Sequence, residues 1–460
     1  MNSTTPRSSA FTPTTLDPKS TDSTPPRSQA RESHLRGSRR EFLGTGAAAS
    51  LAAGVFVHAG VSAAEPAREL RLGVVGCGGR GSGAINDSLT INDGVKLVAL
   101  ADLYTDKCAR LRSTLAQAHG EKVAVDDNAM HGGLDGYRRI LDDPQIDVVL
   151  LTMPPGFRPT LLREAVEAGK HVFAEKPVCV DPAGYRSCLA THELAVARGT
   201  AIVTGTQYRR QVNYLGAIEQ IRSGAIGEII AGTGTYCSNG IWYRPRQEGM
   251  SDAEYQVNNW MHFIWLSGDQ INEQAIHTLD TINWAMGENP VSAFGSGGRF
   301  TRPADSEMWD SMAVDYEYPG DRFVSFTCWQ VPGAATDLHV SLRGTKGTCH
   351  IGAINAGCRI VDRSGREIWQ MKGSIADAYK QEHKDLIDSI RAGAPIVELR
   401  QTADSSLMAI MGRMAAYTGK PVTWAFASAE SQLDLFPKNL TWDASLPQPQ
   451  WAIPGKTPLT

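Results

Sequence analysis

The chain has 460 residues, 42% hydrophobic and 20% charged, with a formal net charge of −4. That is the composition of a globular protein with enough apolar residues for two cores. It excludes any general attraction to nucleic acid or to an anionic membrane surface. Eight cysteines, at positions 77, 108, 179, 188, 237, 328, 349 and 358, form neither a Cys-x-x-Cys pair nor a zinc-site spacing with histidine. They read as small core residues, with no metal site, and one or two disulfides remain open to the chain if it is exported.

Residues 2–37 are rich in Ser, Thr and Pro and poor in large apolar side chains, so they are expected to be disordered. Ser38-Arg39-Arg40-Glu41-Phe42-Leu43 then leads into an Ala/Gly-rich apolar run, Gly44 to Val57, and the small residues "VSAAE". The pattern resembles a twin-arginine secretion signal cut after Ala63 or Ala64. The apolar run is too short and too poor in Leu and Ile for a stable membrane span. The expectation is a periplasmic or otherwise exported protein that leaves the cytoplasm already folded.

"LRLGVVG" reads as a short buried strand running into Gly76-Cys77-Gly78-Gly79-Arg80-Gly81, a G-x-G-x-x-G loop. Gly76 permits the tight turn, Gly78 lets backbone approach a pyrophosphate, and Gly81 lets helix and strand pack closely. The helix start, with Gly79 and Arg80, then faces the phosphates. A second strand, "VKLVALAD", ends in Asp102, 21 residues after Gly81. A carboxylate there suits a ribose 2′-hydroxyl and repels a 2′-phosphate, which favours NAD over NADP. The other reading of Asp102 is a cap or turn residue.

"IDVVLLTMPP" is a nearly continuous apolar strand, a helix is expected around residues 160–168, and "KHVFAEKP" supplies the next strand. Strand–helix alternation of this kind predicts a doubly wound sheet. Ligands in such sheets sit at the carboxyl ends of the strands, where Gly76, Thr152, Pro154, Glu175 and Lys176 fall.

The glycine loop, "AGKHVFAEKP", "GTQYRRQ…GAIGEI" and "NEQAIHTLDTINW" together resemble the Gfo/Idh/MocA (glucose–fructose oxidoreductase / inositol dehydrogenase) family. The likeness covers nearly all of residues 69–425, and the closing "QEHKDLIDSIRAGAPIVE…AYTGKPVTW" fits a secreted branch. The resemblance implies an α/β protein of two domains: an N-terminal Rossmann NAD(P)-binding domain over 65–205, and a substrate and oligomerisation domain with an open, mostly antiparallel sheet over 206–425. Residues 1–64 form the disordered region and signal, and 426–460 an extended tail that wraps the surface. A homo-oligomer is implied by the open sheet.

The family's chemistry is hydride transfer between a sugar or polyol carbon and a nicotinamide. Such chemistry needs a group that takes the hydroxyl proton. The resemblance makes Lys176 the residue that bonds the reacting hydroxyl or orients the substrate, and His277 the proton acceptor or donor. Glu273, His277 and Asp280, spaced by four and three, share one face of a helix if the helix is continuous. Glu273 stands where the family has aspartate. Arg158 stands where many relatives have histidine; it reads as a surface side chain, or else as a cation beside the cofactor crevice. Gln207, Tyr208, Arg209 and Arg210 follow a strand in a segment that faces the sugar in the family. Tyr236, Asn239, Trp242 and Tyr243 resemble an aromatic substrate wall, joined by Trp260 and His262. "QEHKD" begins an amphipathic structural helix.

Three functions compete. The first is an exported oxidoreductase with tightly held NAD(H), reset in place by a second sugar or another acceptor. The second is a redox-neutral, NAD-dependent glycoside hydrolase. The third is a non-catalytic nucleotide-binding regulator, against which the retained Lys176 argues.

Overall fold

The fold is that of a computed structural model in which residues 68–460 are described; the secretion signal expected before residue 65 lies outside them. Six strands form the first sheet: β1 (Leu70–Val75), β2 (Val95–Ala101), β3 (Met130–His131), β4 (Val148–Leu151), β5 (His171–Ala174) and β6 (Ile202–Thr204). Their order is β3-β2-β1-β4-β5-β6 and every pairing is parallel. β4 is buried along its whole length, which explains its unbroken apolar run. Its alternate residues enter two cores. Val148 and Leu150 pack with Ile85 and Leu89 on one face, and Val149 and Leu151 with Leu161 and Leu162 on the other. The strand order reverses between β1 and β4, so a crevice opens at their carboxyl ends.

Nine strands form the second sheet: β7 (Ile229–Ser238), β8 (Ser292–Gly298), β9 (Ser311–Tyr318), β10 (Arg322–Gln330), β11 (Asp337–Gly344), β12 (Gly347–Gly352), β13 (Gly357–Asp362), β14 (Glu367–Met371) and β15 (Val422–Thr423). Their order is β14-β13-β12-β11-β7-β10-β9-β8-β15. Only β7 and β10 run parallel; the other neighbours are antiparallel. β9 alternates strictly, with Met312, Val314, Tyr316 and Tyr318 inward. That period-two pattern marks a sheet covered on one face. The helices Ile276–Met286 and Leu399–Thr418 cover it.

Two long-range returns tie the halves together. The helix Ile375–Arg391 packs on the helix Gly79–Ile91, and its Leu386 and Ile387 join the core of the first sheet. Just beyond it the chain pairs with β6: Ile202 N–H donates to Ile396 O at 2.7 Å, and Glu398 N–H to Ile202 O at 2.8 Å. This covers the open edge of the sheet. All eight cysteines are free and buried, and the Sγ atoms of Cys77 and Cys108 lie 3.6 Å apart.

A sharp turn aims the segment that carries Glu273. Gly268 and Asp269 both have left-handed φ, +75° and +70°. Asp269 combines that φ with a ψ of 168°, a region nearly confined to glycine, at a cost of about 1–3 kcal/mol. The fully buried Asp269 carboxylate offsets the cost. It accepts the N–H of Gln270 at 2.5 Å, the N–H of Trp309 at 3.0 Å and the Tyr417 hydroxyl. Asp269→Ala strands all three donors. We expect it to lower unfolding free energy by about 3 kcal/mol or more, read from urea midpoints, with Asp269→Asn losing less.

Candidate active site

The crevice at the strand ends is a cavity of about 1180 Å³, above the roughly 300–1,000 Å³ usual for one small ligand and suited to a dinucleotide with a substrate. Gly76, Gly78, Gly79, Arg80, Asp102, Thr152, Pro154, Glu175 and Lys176 all line it. Gly81 lies just behind them. A Cβ there would fall 1.9 Å from Gly76 O and 2.7 Å from Thr152 Oγ1, so the helix Gly79–Ile91 seats against β1 only with glycine. A Cβ on Gly78 or Gly79 would meet no protein atom within 4 Å. Gly78 caps that helix with no side-chain hydrogen bond, which leaves its first N–H groups for an anion. The loop therefore fits a pyrophosphate.

Asp102 fills the turn role and also faces the cavity. Its carboxylate accepts the N–H of Cys77 at 2.8 Å and of Tyr104 at 3.2 Å while it lines the cavity. Thr152 donates to Gly76 O at 2.7 Å and so ties β4 to the glycine turn.

At the far end, Lys176 donates to the backbone carbonyl of Glu273 and lies 3.2 Å from Glu273 Oε1. Glu273 Oε2 is buried and has no hydrogen-bond partner among the described residues. His277 lines the cavity beside this pair, edge-on to Tyr208. Burial first, then the cations of Lys176 and Arg80, hold its imidazolium form well below the ordinary histidine range. It is neutral at pH 7 and able to accept a proton. Arg80 pairs with the buried Glu175 and lies over the Tyr379 ring.

The structure corrects several expectations. Glu273 ends one short helix, Gln270–Glu273, and His277 lies in the next, Ile276–Met286, so no continuous helix face carries Glu273, His277 and Asp280. The Asp280 carboxylate takes the Arg209 guanidinium at 2.8 and 2.9 Å and Ser405 Oγ at 2.7 Å, which turns both Asp280 and Arg209 away from the cavity. Arg210 is likewise held, by Glu398 and Asp385. Arg158 is 3% exposed rather than on the surface, and it lines the cavity, as the alternative reading of a cation beside the crevice has it. It donates to the carbonyls of Pro177 and Met153 and so braces the strand-end loops. Burial pushes its guanidinium down to about 10.

Of the aromatic wall, Trp242 and Trp260 line the cavity with Gln207. Tyr236 stands behind His277, its hydroxyl donating to Gln274 Oε1 at 3.2 Å. Asn239 is exposed beyond β7, outside the cavity. Tyr243 bonds Tyr255 and Asp305, and the buried His262 bonds Ser306 and the Trp242 carbonyl, so both support the wall from behind.

Sequence reading missed Tyr379, although it stands three residues before Glu382 in the helix assigned a structural part. It also missed Tyr104, Phe157 and the tail residues Phe436, Pro437, Asn439 and Leu440, which line the cavity from three separate parts of the chain. The tail after residue 430 therefore walls the site instead of only wrapping the surface.

A glycine-turn nucleotide site, facing a lysine–glutamate pair and a neutral histidine across a crevice, defines a dinucleotide-dependent oxidoreductase of two α/β halves. Residues 70–202 match the oxidoreductase family with an NAD-binding Rossmann fold, GFO_IDH_MocA, and residues 214–350 match that family's C-terminal domain. The chain belongs to the Gfo/Idh/MocA family, and its cofactor is NAD(H). Among relatives, inositol 2-dehydrogenase 3 of Saccharopolyspora erythraea is 23% identical over 71% of this chain and 86% of its own length. A glycosyl hydrolase family 109 protein of Shewanella sp. ANA-3 is 26% identical over 42% of this chain and 39% of its own. The scyllo-inositol dehydrogenase of Lactobacillus casei, solved with NAD(H) and scyllo-inositol, superposes with a TM-score of 0.59 at 17% identity, over 77% of this chain and 99% of its own.

Gly81→Ala forces Cβ into the turn carbonyl. We expect a loss of about 3 kcal/mol or more in nucleotide-free protein. Gly79→Ala, in open space at a helix start, should stay within roughly 0.5 kcal/mol of wild type or gain slightly. Paired thermal melts check this.

Proposed function

We propose that this protein interconverts a secondary hydroxyl and a ketone on a sugar or polyol. The observation that carries the reading is Lys176 held against Glu273 beside a neutral His277, at the end of a cavity that begins with a nucleotide loop. NAD(H) supplies the hydride acceptor and donor. Lys176 donates a hydrogen bond to the reacting oxygen, and Glu273 fixes the direction of its ammonium group. His277 takes the hydroxyl proton on oxidation and returns it on reduction. Gln207 and Trp242 orient the ring, the indole packing on apolar C–H faces. The names of the inositol dehydrogenase relatives support a polyol or sugar.

The same reading includes export through the twin-arginine route and a cofactor reset within the active site. It also includes a homo-oligomer through the outer face of the second sheet, where Phe294 and Phe323 are 56% and 50% exposed. The family 109 glycosidase relatives favour a second reading, redox-neutral cleavage of a glycoside at the same site. Product analysis separates the two. A free sugar released with no net change in NADH absorbance supports cleavage, and a stoichiometric keto product supports dehydrogenation.

Lys176→Met and His277→Asn should each lower kcat/KM by about 100-fold or more, with folding and NAD binding kept. Histidine must be neutral to act as base, and its pKa is depressed. Oxidation should therefore not fall as pH drops through 6.5; its acid limb lies lower. Lys176→Met removes a cation that disfavours imidazolium, so the His277 titration should move upward, as read by NMR. A downward move would refute the assignment.

A further inference from the structure

The segment Leu435–Trp442 crosses the carboxyl edge of the first sheet in one direction, and its contacts follow the order of the crevice. Leu435 N–H donates to Asp181 Oδ2 at 2.8 Å, beyond the end of β5. Phe436 packs edge-on against Phe157, beyond β4, at 5.6 Å between ring centroids. Trp442 packs edge-on against Tyr104, beyond β2, at 5.7 Å. Between these anchors Phe436, Pro437, Asn439 and Leu440 line the cavity.

The far side is laced as well. Ser251 Oγ donates to Trp442 O at 2.5 Å, Ala253 N–H to Ala444 O at 3.3 Å, and Leu446 N–H to Asp252 Oδ2 at 3.1 Å. The helix that follows, Asp252–Asn258, reaches back to the same tyrosine. The Tyr104 hydroxyl donates to Glu254 Oε1 at 2.9 Å and accepts from Asn258 Nδ2 at 2.8 Å. Tyr104 lies two residues after Asp102. A roof from two distant parts of the chain is thus pinned where the ribose end of a dinucleotide lies.

We propose that Leu435–Trp442 is a strap that retains NAD(H) in the crevice, so that each molecule works with one resident cofactor. The inference rests on the assignment of NAD(H) to this cavity. A dinucleotide reaching from Asp102 to Lys176 passes beneath the strap. Its release requires the strap to lift from Asp181, Phe157 and Tyr104 together, which is a local unfolding event rather than simple dissociation. A strapped cofactor must be oxidised and reduced in turn by successive substrates, or within one redox-neutral cycle.

The test is exchange of bound nucleotide. Full-length protein, purified without added nucleotide and loaded with radiolabelled NAD, is diluted into excess unlabelled NAD, and retained label is followed by rapid gel filtration. The expected half-time is hours. Trp442→Ala, which does not touch the cavity, should shorten it about 100-fold, and the milder Ser251→Ala about fivefold. Activity of both variants at saturating NAD should stay near wild type. Exchange within seconds in the wild type overturns the strap, as does an unchanged half-time in both variants. If exchange is fast while added NAD restores full activity, the strap falls and the oxidoreductase reading stands; if saturating NAD gives no activity on any sugar, polyol or glycoside, that reading falls separately. Should Trp442→Ala fail to fold, the wild-type half-time and Ser251→Ala decide the matter.

Discussion

The missing side chain at Gly81 is the constraint on which the rest of the site depends. The helix Gly79–Ile91 starts so close to the β1 turn that a Cβ would overlap the Gly76 carbonyl. That contact points the uncapped helix start into the crevice, where its N–H groups meet an anion. Thr152 then fastens β4 to the same turn, and Asp102 fastens the end of β2 to Cys77. Three neighbouring strand ends are held in register around one loop. A dinucleotide placed on that loop has its two ends set by the sheet, toward Asp102 and toward Lys176.

At the reacting end, two cations are each given a carboxylate: Arg80 with Glu175, and Lys176 with Glu273. Burying charges is tolerable only when they are paired. His277 is the uncharged member of the group, first because it is buried and then because a third positive charge beside Lys176 and Arg80 is unfavourable. The arrangement thus keeps the histidine neutral well below the pH at which a free imidazole protonates. Lys176 meets both the side chain and the backbone of Glu273, so one residue fixes its ammonium group twice.

The first sheet was legible because its signals are local: apolar runs of strand length, a glycine loop, and an acid at the right distance from it. The glycine-loop and strand-end residues all line one cavity or back it directly. What was not legible depends on partners far away in sequence. Arg209 and Asp280 are 71 positions apart, and each alone looks like a polar side chain near a site; together they neutralise one another away from it. Arg158 looks like a solvent charge until Met153 and Pro177 present carbonyls to it. The spacing of Glu273, His277 and Asp280 suggested one helical face, and the break between two helices removed the premise.

The tail was the largest surprise, and its sequence explains why. Residues 431–450 form no helix or strand, so no periodicity marks which side chains turn inward. Their placement comes instead from Phe157, Trp265 and Tyr104, whose rings offer apolar edges along the crevice rim to Phe436 and Trp442. Aromatic edge-to-face contacts of this kind each contribute about 1 kcal/mol beyond area burial. Several in series, flanked by the hydrogen bonds of Leu435 N–H to Asp181 and of Ser251 Oγ to Trp442 O, hold an irregular segment that propensity alone leaves unplaced. A sheet that exposes a ligand crevice at its strand ends thereby gains a roof without adding a domain.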